Sequence, residues 1–406
     1  MTQASASSPA TFDDRRLVVL IAPDSFKGSL TSVEVARALA IGWAATRPRD
    51  EILLAPLADG GEGTLVAIEA SGGWQWRVSD ATDPIGRPIH ARWLRSADGR
   101  RGVVELAAAS GLSRLRPDER DPLGASTRGT GELLRAALDD GVREITLGIG
   151  GSATNDGGAG ILEALGARLV PADDGGVQVD LNGMDPRLPA TSLRIACDVT
   201  NPLLGDRGAA VTYGPQKGAT PADVAELDRR LGRYADAVEA ATGRRERDTP
   251  GAGAAGGTGF GLLTLRDRFA SLELVPGVDV VMEAADFDGK LARASITITG
   301  EGRIDEQTAF GKTALGVARR AAAAGVACVA IGAASTAAQS GGAPSGSPAP
   351  PQPIPGAWCS AARPDGYAAR SATNAFSALM SALFWVRIVR ISSEVGSSRR
   401  SHTGRP

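Results

Sequence analysis

The stretch Gly148-Ile149-Gly150-Gly151-Ser152-Ala153-Thr154-Asn155-Asp156-Gly157-Gly158-Ala159-Gly160 follows the apolar run Glu144 to Leu147 and leads into the helix-like segment Ile161 to Leu169. Strand, glycine-dense turn and helix in that order make one unit of an α/β fold. Glycines at such a turn let backbone N–H groups approach an anion closely, and the helix N-terminus adds positive potential. The opening G-x-G-x-x-A is a relaxed dinucleotide fingerprint. A plain fingerprint lacks the polar block Ser152, Thr154, Asn155 and Asp156, which can meet a phosphate, a sugar-like hydroxyl or Mg²⁺. The plainer reading is a tight turn whose glycines only permit close packing.

Units of the same kind lie upstream. Leu17 to Ala22 is a continuous apolar run, the mark of a buried parallel strand. The loop Pro23-Asp24-Ser25-Phe26-Lys27-Gly28-Ser29 follows it, and Thr31-Ser32-Val33-Glu34 is a capping box. That box opens a helix expected to bury Val35, Ala38, Leu39, Gly42 and Trp43. Asp24, Ser25 and Lys27 then stand at the ligand-binding edge of an open sheet. Glu51 to Leu54 is a second strand, followed by Asp59-Gly60-Gly61-Glu62-Gly63-Thr64, whose two carboxylates can hold Mg²⁺ or accept a hydroxyl proton. From Trp74 to Arg95 the pattern alternates around a turn at Asp83 to Gly86, which predicts an antiparallel region.

Downstream, Leu193 to Val199 reads as a strand carrying Cys197-Asp198-Val199-Thr200-Asn201-Pro202-Leu203 at its end. After a short loop comes Ala210 to Ala219, and Asp198, Asn201, Gln216 and Lys217 are read as polar groups at loop positions flanked by apolar strands. Gly251 to Gly259 contains G-x-G-x-x-G but no strand precedes it, so the dinucleotide context fails and a phosphate-cradling or substrate-covering loop is expected, with Gly256 and Gly257 in it. Ala294 to Thr299 is a strand ending in Gly300-Glu301-Gly302-Arg303-Ile304-Asp305. Phe310-Gly311-Lys312-Thr313 imitates the end of a P-loop, but the first glycine of that motif would fall at Glu306. A helix from Thr313 to Ala324 and a strand from Val326 to Ile331 continue the alternation.

Composition narrows the chemistry. The 406 residues suffice for two domains, and a net charge of −2 gives no electrostatic case for nucleic acid or an anionic membrane. Three cysteines without metal-ligand spacing favour a reduced, cytoplasmic protein. Met1 to Arg15 lacks an apolar core and reads as a disordered lead-in, and no apolar run is long enough for a bilayer. With two histidines, His90 and His402, acid–base work falls to carboxylates or lysines. Of 44 Lys plus Arg only Lys27, Lys217, Lys290 and Lys312 are lysine, each with a glycine beside it. Such scarcity marks places that need a compact ammonium, as at a phosphate oxygen.

After about residue 335 the composition breaks. Gly341 to Pro355 carries six prolines, and residues 341–406 hold seven arginines against only Asp365 and Glu394 as acids. The helix-like piece Phe376 to Ile391 is the expected ordered element there. A GC-rich gene read out of frame yields this composition, and a tail joined by a linker is the alternative.

The motifs Pro23 to Gly28, Asp59 to Thr64, Gly150 to Gly158, Cys197 to Leu203, Gly214 to Ala219 and Gly300 to Asp305 together resemble those of type-1 glycerate kinases, in the family's order, over residues 16–335. The resemblance implies ATP-dependent phosphorylation of D-glycerate to 2-phosphoglycerate in organic-acid catabolism, in the cytoplasm. It also implies two α/β domains: a discontinuous flavodoxin-like domain (15–62 and 293–335), interrupted by a second of restriction-enzyme-like topology (63–292). Residues 1–14 would be the lead-in and 336–406 the atypical tail. In this reading Lys27 and Lys217 meet phosphate or the glycerate carboxylate, while Asp59, Glu62, Glu301 and Asp305 serve Mg²⁺ or orient a hydroxyl. Asp198 is the candidate base and Asp156 its rival. Asp24, Ser25, Gly60, Gly61, Gly151, Ser152, Thr154, Asn155, Asn201, Gln216, Gly256, Gly257 and Gly302 would line the substrate and nucleotide site. Glycerate and ATP are the expected partners, and a homodimer stays open. The competing readings are a nicotinamide-dependent dehydrogenase, which leaves the carboxylate-rich loops without a purpose, and a non-catalytic nucleotide-binding module.

Overall fold

The computed structural model describes residues 16–26, 29–61, 63–172, 176–302, 312–333 and 386–390. The lead-in, most of the tail, and the candidate residues Lys27, Glu62 and Asp305 lie outside them.

Strand β1 (Val18–Pro23) is followed by helix α1 (Ser32–Thr46), and strand β2 (Glu51–Leu54) by α2 (Thr64–Ala70). The capping box at the start of α1 is present: Thr31 Oγ1 accepts from Glu34 N, and a Glu34 carboxylate oxygen accepts from Thr31 N at 2.8 Å. The fully buried positions of α1 include Val33, Val35 and Ala36, and Leu39 and Trp43 of the expected face pack half-buried against the core beside β1. The alternating region forms a long antiparallel pair, β3 (Trp74–Thr82) and β4 (Pro88–Ser96), continued by β5 (Arg101–Glu105) and the short α3 (Ala107–Ser110).

Helix α4 (Arg128–Asp139) leads into β6 (Glu144–Gly148), the glycine turn and α5 (Ala159–Ala164). Helix α5 ends before the expected Leu169, because Arg168–Pro171 forms β7, paired with β8 (Val177–Asp180). Beyond β9 (Ser192–Ala196), the segment read as a strand is instead helix α6 (Ala209–Tyr213); a short apolar run does not by itself separate the two states. Helix α7 (Pro221–Thr242) begins with a second capping box at Thr220 and Asp223. The second glycine-rich segment is largely helical, as α8 (Ala254–Thr264), kinked where Ala255, Gly256 and Gly257 take positive φ.

The chain continues through β10 (Ser271–Val275), α9 (Gly277–Ala284), α10 (Phe287–Arg293), β11 (Ile296–Glu301), α11 (Lys312–Ala323) and β12 (Ala327–Ala333). In the tail, Val386–Arg390 forms strand β13, antiparallel to β12, where the sequence suggests a helix. The outer edge of β12 is therefore paired there.

Two main sheets result. The first runs β2-β1-β11-β12-β13, parallel up to β12. Its order reverses between β1 and β11, the place where open α/β sheets form a ligand crevice at their carboxyl ends. The second runs β3-β4-β5-β6-β9-β10, antiparallel at β3 and β4 and parallel from β5 onward. One core packs α4, α5, α7 and α8 on one face of this second sheet. A second core lies between the sheets: Leu20 of the first and Val103 of the second share it with Ile68, Met282, Phe287 and Val317. Lys290 of α10 pins that layer by donating to the carbonyls of Leu54 (2.9 Å) and Ser71 (3.2 Å). No helix among the described residues is long and apolar enough to cross a membrane.

Candidate active site

The carboxyl ends of β2, β6 and β9 bring three loops together. Their approach is backbone against backbone. A Cβ on Gly148 would lie 2.7 Å from the Gly60 carbonyl oxygen, and one on Gly150 would lie 2.6 Å from the Gly61 Cα. Side chains at these positions would hold the loops apart, so these glycines serve the junction of two loops. Gly277, the first residue of α9, closes the third side: its N–H donates to Asp198 Oδ1 at 3.1 Å, and a Cβ there would lie 1.9 Å from the Asp59 carbonyl oxygen. Sequence reasoning missed Gly277; the only signal was a Pro-Gly pair at the end of a strand.

The cleft so formed has two lobes. One, of about 280 Å³, is lined by Asp59, Gly60, Gly61, Gly151, Ser152, Asp198 and Gln216, with Tyr213 and Ala254 as further walls. The other, of about 370 Å³, takes Asp24 and Ser25 from the loop after β1, Ser32 from α1, and the apolar Leu57 and Val66. Asp59 lines both. Asp24 is held in place by accepting from Ser25 N at 2.6 Å and from Thr313 Oγ1 at 2.7 Å, which gives the P-loop look-alike a positioning role. Glu301 and Gly302 stand at the end of β11, on the same sheet edge. A cavity of about 300 Å³ beside Arg101, Glu144, Ser192 and Ser271, where β5, β6, β9 and β10 begin, gathers none of the candidate residues.

Three of the four residues of the polar block, Thr154, Asn155 and Asp156, turn away from the cleft. Asp156 Oδ2 accepts from Thr127 N (2.8 Å), Thr127 Oγ1 (2.7 Å) and Gly160 N (3.2 Å), while Oδ1 accepts from Gly158 N at 3.1 Å. It orders the turn into α5 and faces a groove of about 380 Å³ behind the loop, which removes it as the rival base. Asn155 donates to the Pro122 carbonyl at 3.3 Å, and Thr154 is fully buried. Asn201 accepts from Tyr213 OH at 2.8 Å, so it steadies a wall of the cleft. Gly256 and Gly257 pack on the backbone of Thr154 to Gly157 and are buried; they are packing residues, not a cradle open to ligand.

Lys217 departs furthest from expectation. It is 1% exposed, with Nζ donating to the Thr154 carbonyl at 2.6 Å, and so it touches neither lobe. Burial pushes its pKa down to about 7, against the opposing attraction of Asp156. The lysine clue thus resolves, at Lys217 and Lys290, into ammonium groups that satisfy backbone carbonyls. Because the folded pKa lies below the unfolded one, the unfolded chain binds more protons between about pH 7 and pH 10, and stability rises with pH over that window by about 1.4 kcal/mol per unit. Lys217→Met is expected to remove that slope. Urea titrations from pH 7 to 9 test it, and equal slopes in both proteins would refute the titration.

Known proteins resemble this chain over most of its length. Residues 19–345 match the model of the glycerate kinase family. The chain belongs to the glycerate kinase family. It is 46% identical over 314 residues to the glycerate kinase of Halalkalibacterium halodurans, covering 75% of this chain and 82% of that one. It is 44% identical over 314 residues to the glycerate 2-kinase of Escherichia coli K12, covering 75% and 81%. The crystal structure of a protein assigned as glycerate kinase 2 from Salmonella typhimurium LT2 superposes with a TM-score of 0.73 at 43% identity, covering 80% of this chain and 88% of that one.

Proposed function

We propose that this member of the glycerate kinase family transfers the γ-phosphoryl group of ATP to D-glycerate and forms 2-phosphoglycerate in the cytoplasm, in the breakdown of organic acids. The observation that carries the reading is the juxtaposition of Asp59 and Asp198, both set against Gly277, in a cleft walled by two glycine loops. Phosphoryl transfer asks for positioning and charge neutralisation more than for covalent chemistry by the protein. A glycerate hydroxyl oxygen attacks the γ-phosphorus, its proton passes to Asp198, and the bond to the ADP oxygen breaks. Ser152, Gln216 and Gly151 orient the acceptor from the smaller lobe.

One or two carboxylates would hold a magnesium ion, which when bound would supply neutralisation of the triphosphate charge. Asp59 fits that demand because it lines both lobes and is ordered by the Gly61 N–H at 3.2 Å. Lys27, Glu62, Glu301 and Asp305 complete the proposal as phosphate and metal contacts. The first sheet and its helices belong in this reading to a discontinuous domain, 15–62 with 293–335, and the second sheet to the insertion 63–292.

The test is ADP release on mixing ATP, Mg²⁺ and D-glycerate, with the product passed to enolase. Release is expected to require glycerate, to stop on chelation with EDTA, and to feed enolase directly. ADP release indifferent to glycerate would sink the activity, and a product that enolase ignores would sink the regiochemistry.

A further inference from the structure

The 3₁₀ turn Pro215–Lys217 sends neighbouring side chains in opposite directions. Gln216 lines the cleft, and Lys217 enters the interior beneath the loop that forms the opposite wall. Three more polar atoms on or against that loop are buried without a hydrogen-bond partner: Thr154 Oγ1, Asn155 Oδ1 and Tyr234 OH. The Tyr234 ring lies under Gly157, where a Cβ would come within 2.6 Å of it. The interior side of the loop is therefore polar, tight, and organised on one ammonium bonded to one carbonyl.

Stability alone is a poor reason for this arrangement. A buried ammonium costs several kcal/mol of desolvation unless well paired, and Asp156 spends its hydrogen bonds on Thr127, Gly158 and Gly160. An apolar side chain of similar length would fill the space without that penalty. What the charge does is draw the Thr154 carbonyl inward, two residues from Ser152 in the cleft.

We propose that Lys217 is a positioning residue of the kinase site: its charged ammonium, acting through the Thr154 carbonyl, sets the Gly150 to Ser152 wall of the cleft and touches no substrate. The proposal rests on the phosphoryl-transfer reading of the cleft. Among the described residues the charged group that acts on Lys217 is Asp156, before α5; Tyr234 of α7 feels the same Asp156, and the Arg120 guanidinium donates to the neighbouring Gln216 carbonyl at 3.3 Å. Asp156 favours the charge, and burial opposes it. Loss of the proton as pH rises through about 7 weakens the hold on Thr154, so activity falls on the alkaline side.

The parent is compared with Lys217→Met for kcat and KM between pH 6 and 9, thermal midpoint at pH 7, and hydrogen exchange of the Gly150 to Asn155 amides. The methionine variant is expected to be at least as heat-stable as the parent, yet to lose about tenfold in kcat at pH 6.5 with little change in KM. Its alkaline limb is expected to disappear and its loop amides to exchange faster. Lys217→Gln, which keeps a donor without the charge, carries the same reading if the methionine variant is not recovered folded. A kcat within threefold of the parent with the alkaline limb intact would overturn the proposal, and so would a tenfold rise in KM for glycerate with kcat unchanged, which means direct contact. If the parent releases no ADP with glycerate, the proposed function fails by itself. Equal loop exchange in parent and variant then still overturns the positioning role, and faster exchange in the variant supports it.

Discussion

Asp198→Asn is expected to lower kcat by about 10²–10⁴-fold, the usual cost of losing a general base. The substitution isolates the chemistry because an asparagine amide oxygen can still accept from Gly277 N, the bond that Asp198 Oδ1 makes at 3.1 Å. Shape, volume and that contact survive; the capacity to take a proton does not. The thermal midpoint is therefore expected to stay with the parent while turnover collapses and KM for ATP is unaffected. Steady-state kinetics beside a melting curve read both quantities at once. A turnover within about threefold of the parent would assign the proton to another acceptor, and Asp59 would be next, since it lines the same lobe.

Gly256→Ala is expected to cost about 3 kcal/mol or more in stability, among the largest effects of a single substitution in this chain. Gly256 has φ +67, a left-handed conformation that costs roughly 1–2 kcal/mol for any residue with a Cβ. The added carbon would also lie 1.9 Å from the Thr154 carbonyl oxygen, the same oxygen that Lys217 holds, so backbone must move. Urea denaturation gives the stability change, and nucleotide affinity of the folded fraction gives the contrast. Unchanged stability with weakened ATP binding would restore the segment to a ligand cradle.

The first sheet was legible at its centre because β1 and β11 are buried along nearly their whole length, and Leu17 to Ala22 reads as a continuous apolar run. The β3–β4 pair was legible from its alternation around a turn. Helix α6 was not, since five apolar and polar residues have no period of their own, and its helical state comes from packing on α7 and α8. The glycines of α8 looked like a loop, yet they serve a helix that approaches the Thr154 to Gly158 backbone too closely for side chains.

The candidate site divided in the same way. Motif spacing located Asp24, Asp59, Ser152, Asp198 and Gln216, all of which line the cleft. The same motifs contained Thr154, Asn155, Asp156 and Lys217, which face the underside of the loop. A loop has two sides, and only the packing of α7 and α8 beneath it decides which residues point down.

Gly277 has a consequence for how this cleft can change its substrate. Its backbone touches the Asp198 carboxylate and the Asp59 main-chain carbonyl together, so the spacing between those two loops is gauged by a residue that has no side chain to vary. Any substitution there displaces both loops at once. On the proposed function, the reach across this junction is a fixed dimension of the framework, and a preference for a longer or shorter hydroxy acid would be written into the outer walls, at Ser152, Tyr213 and Gln216.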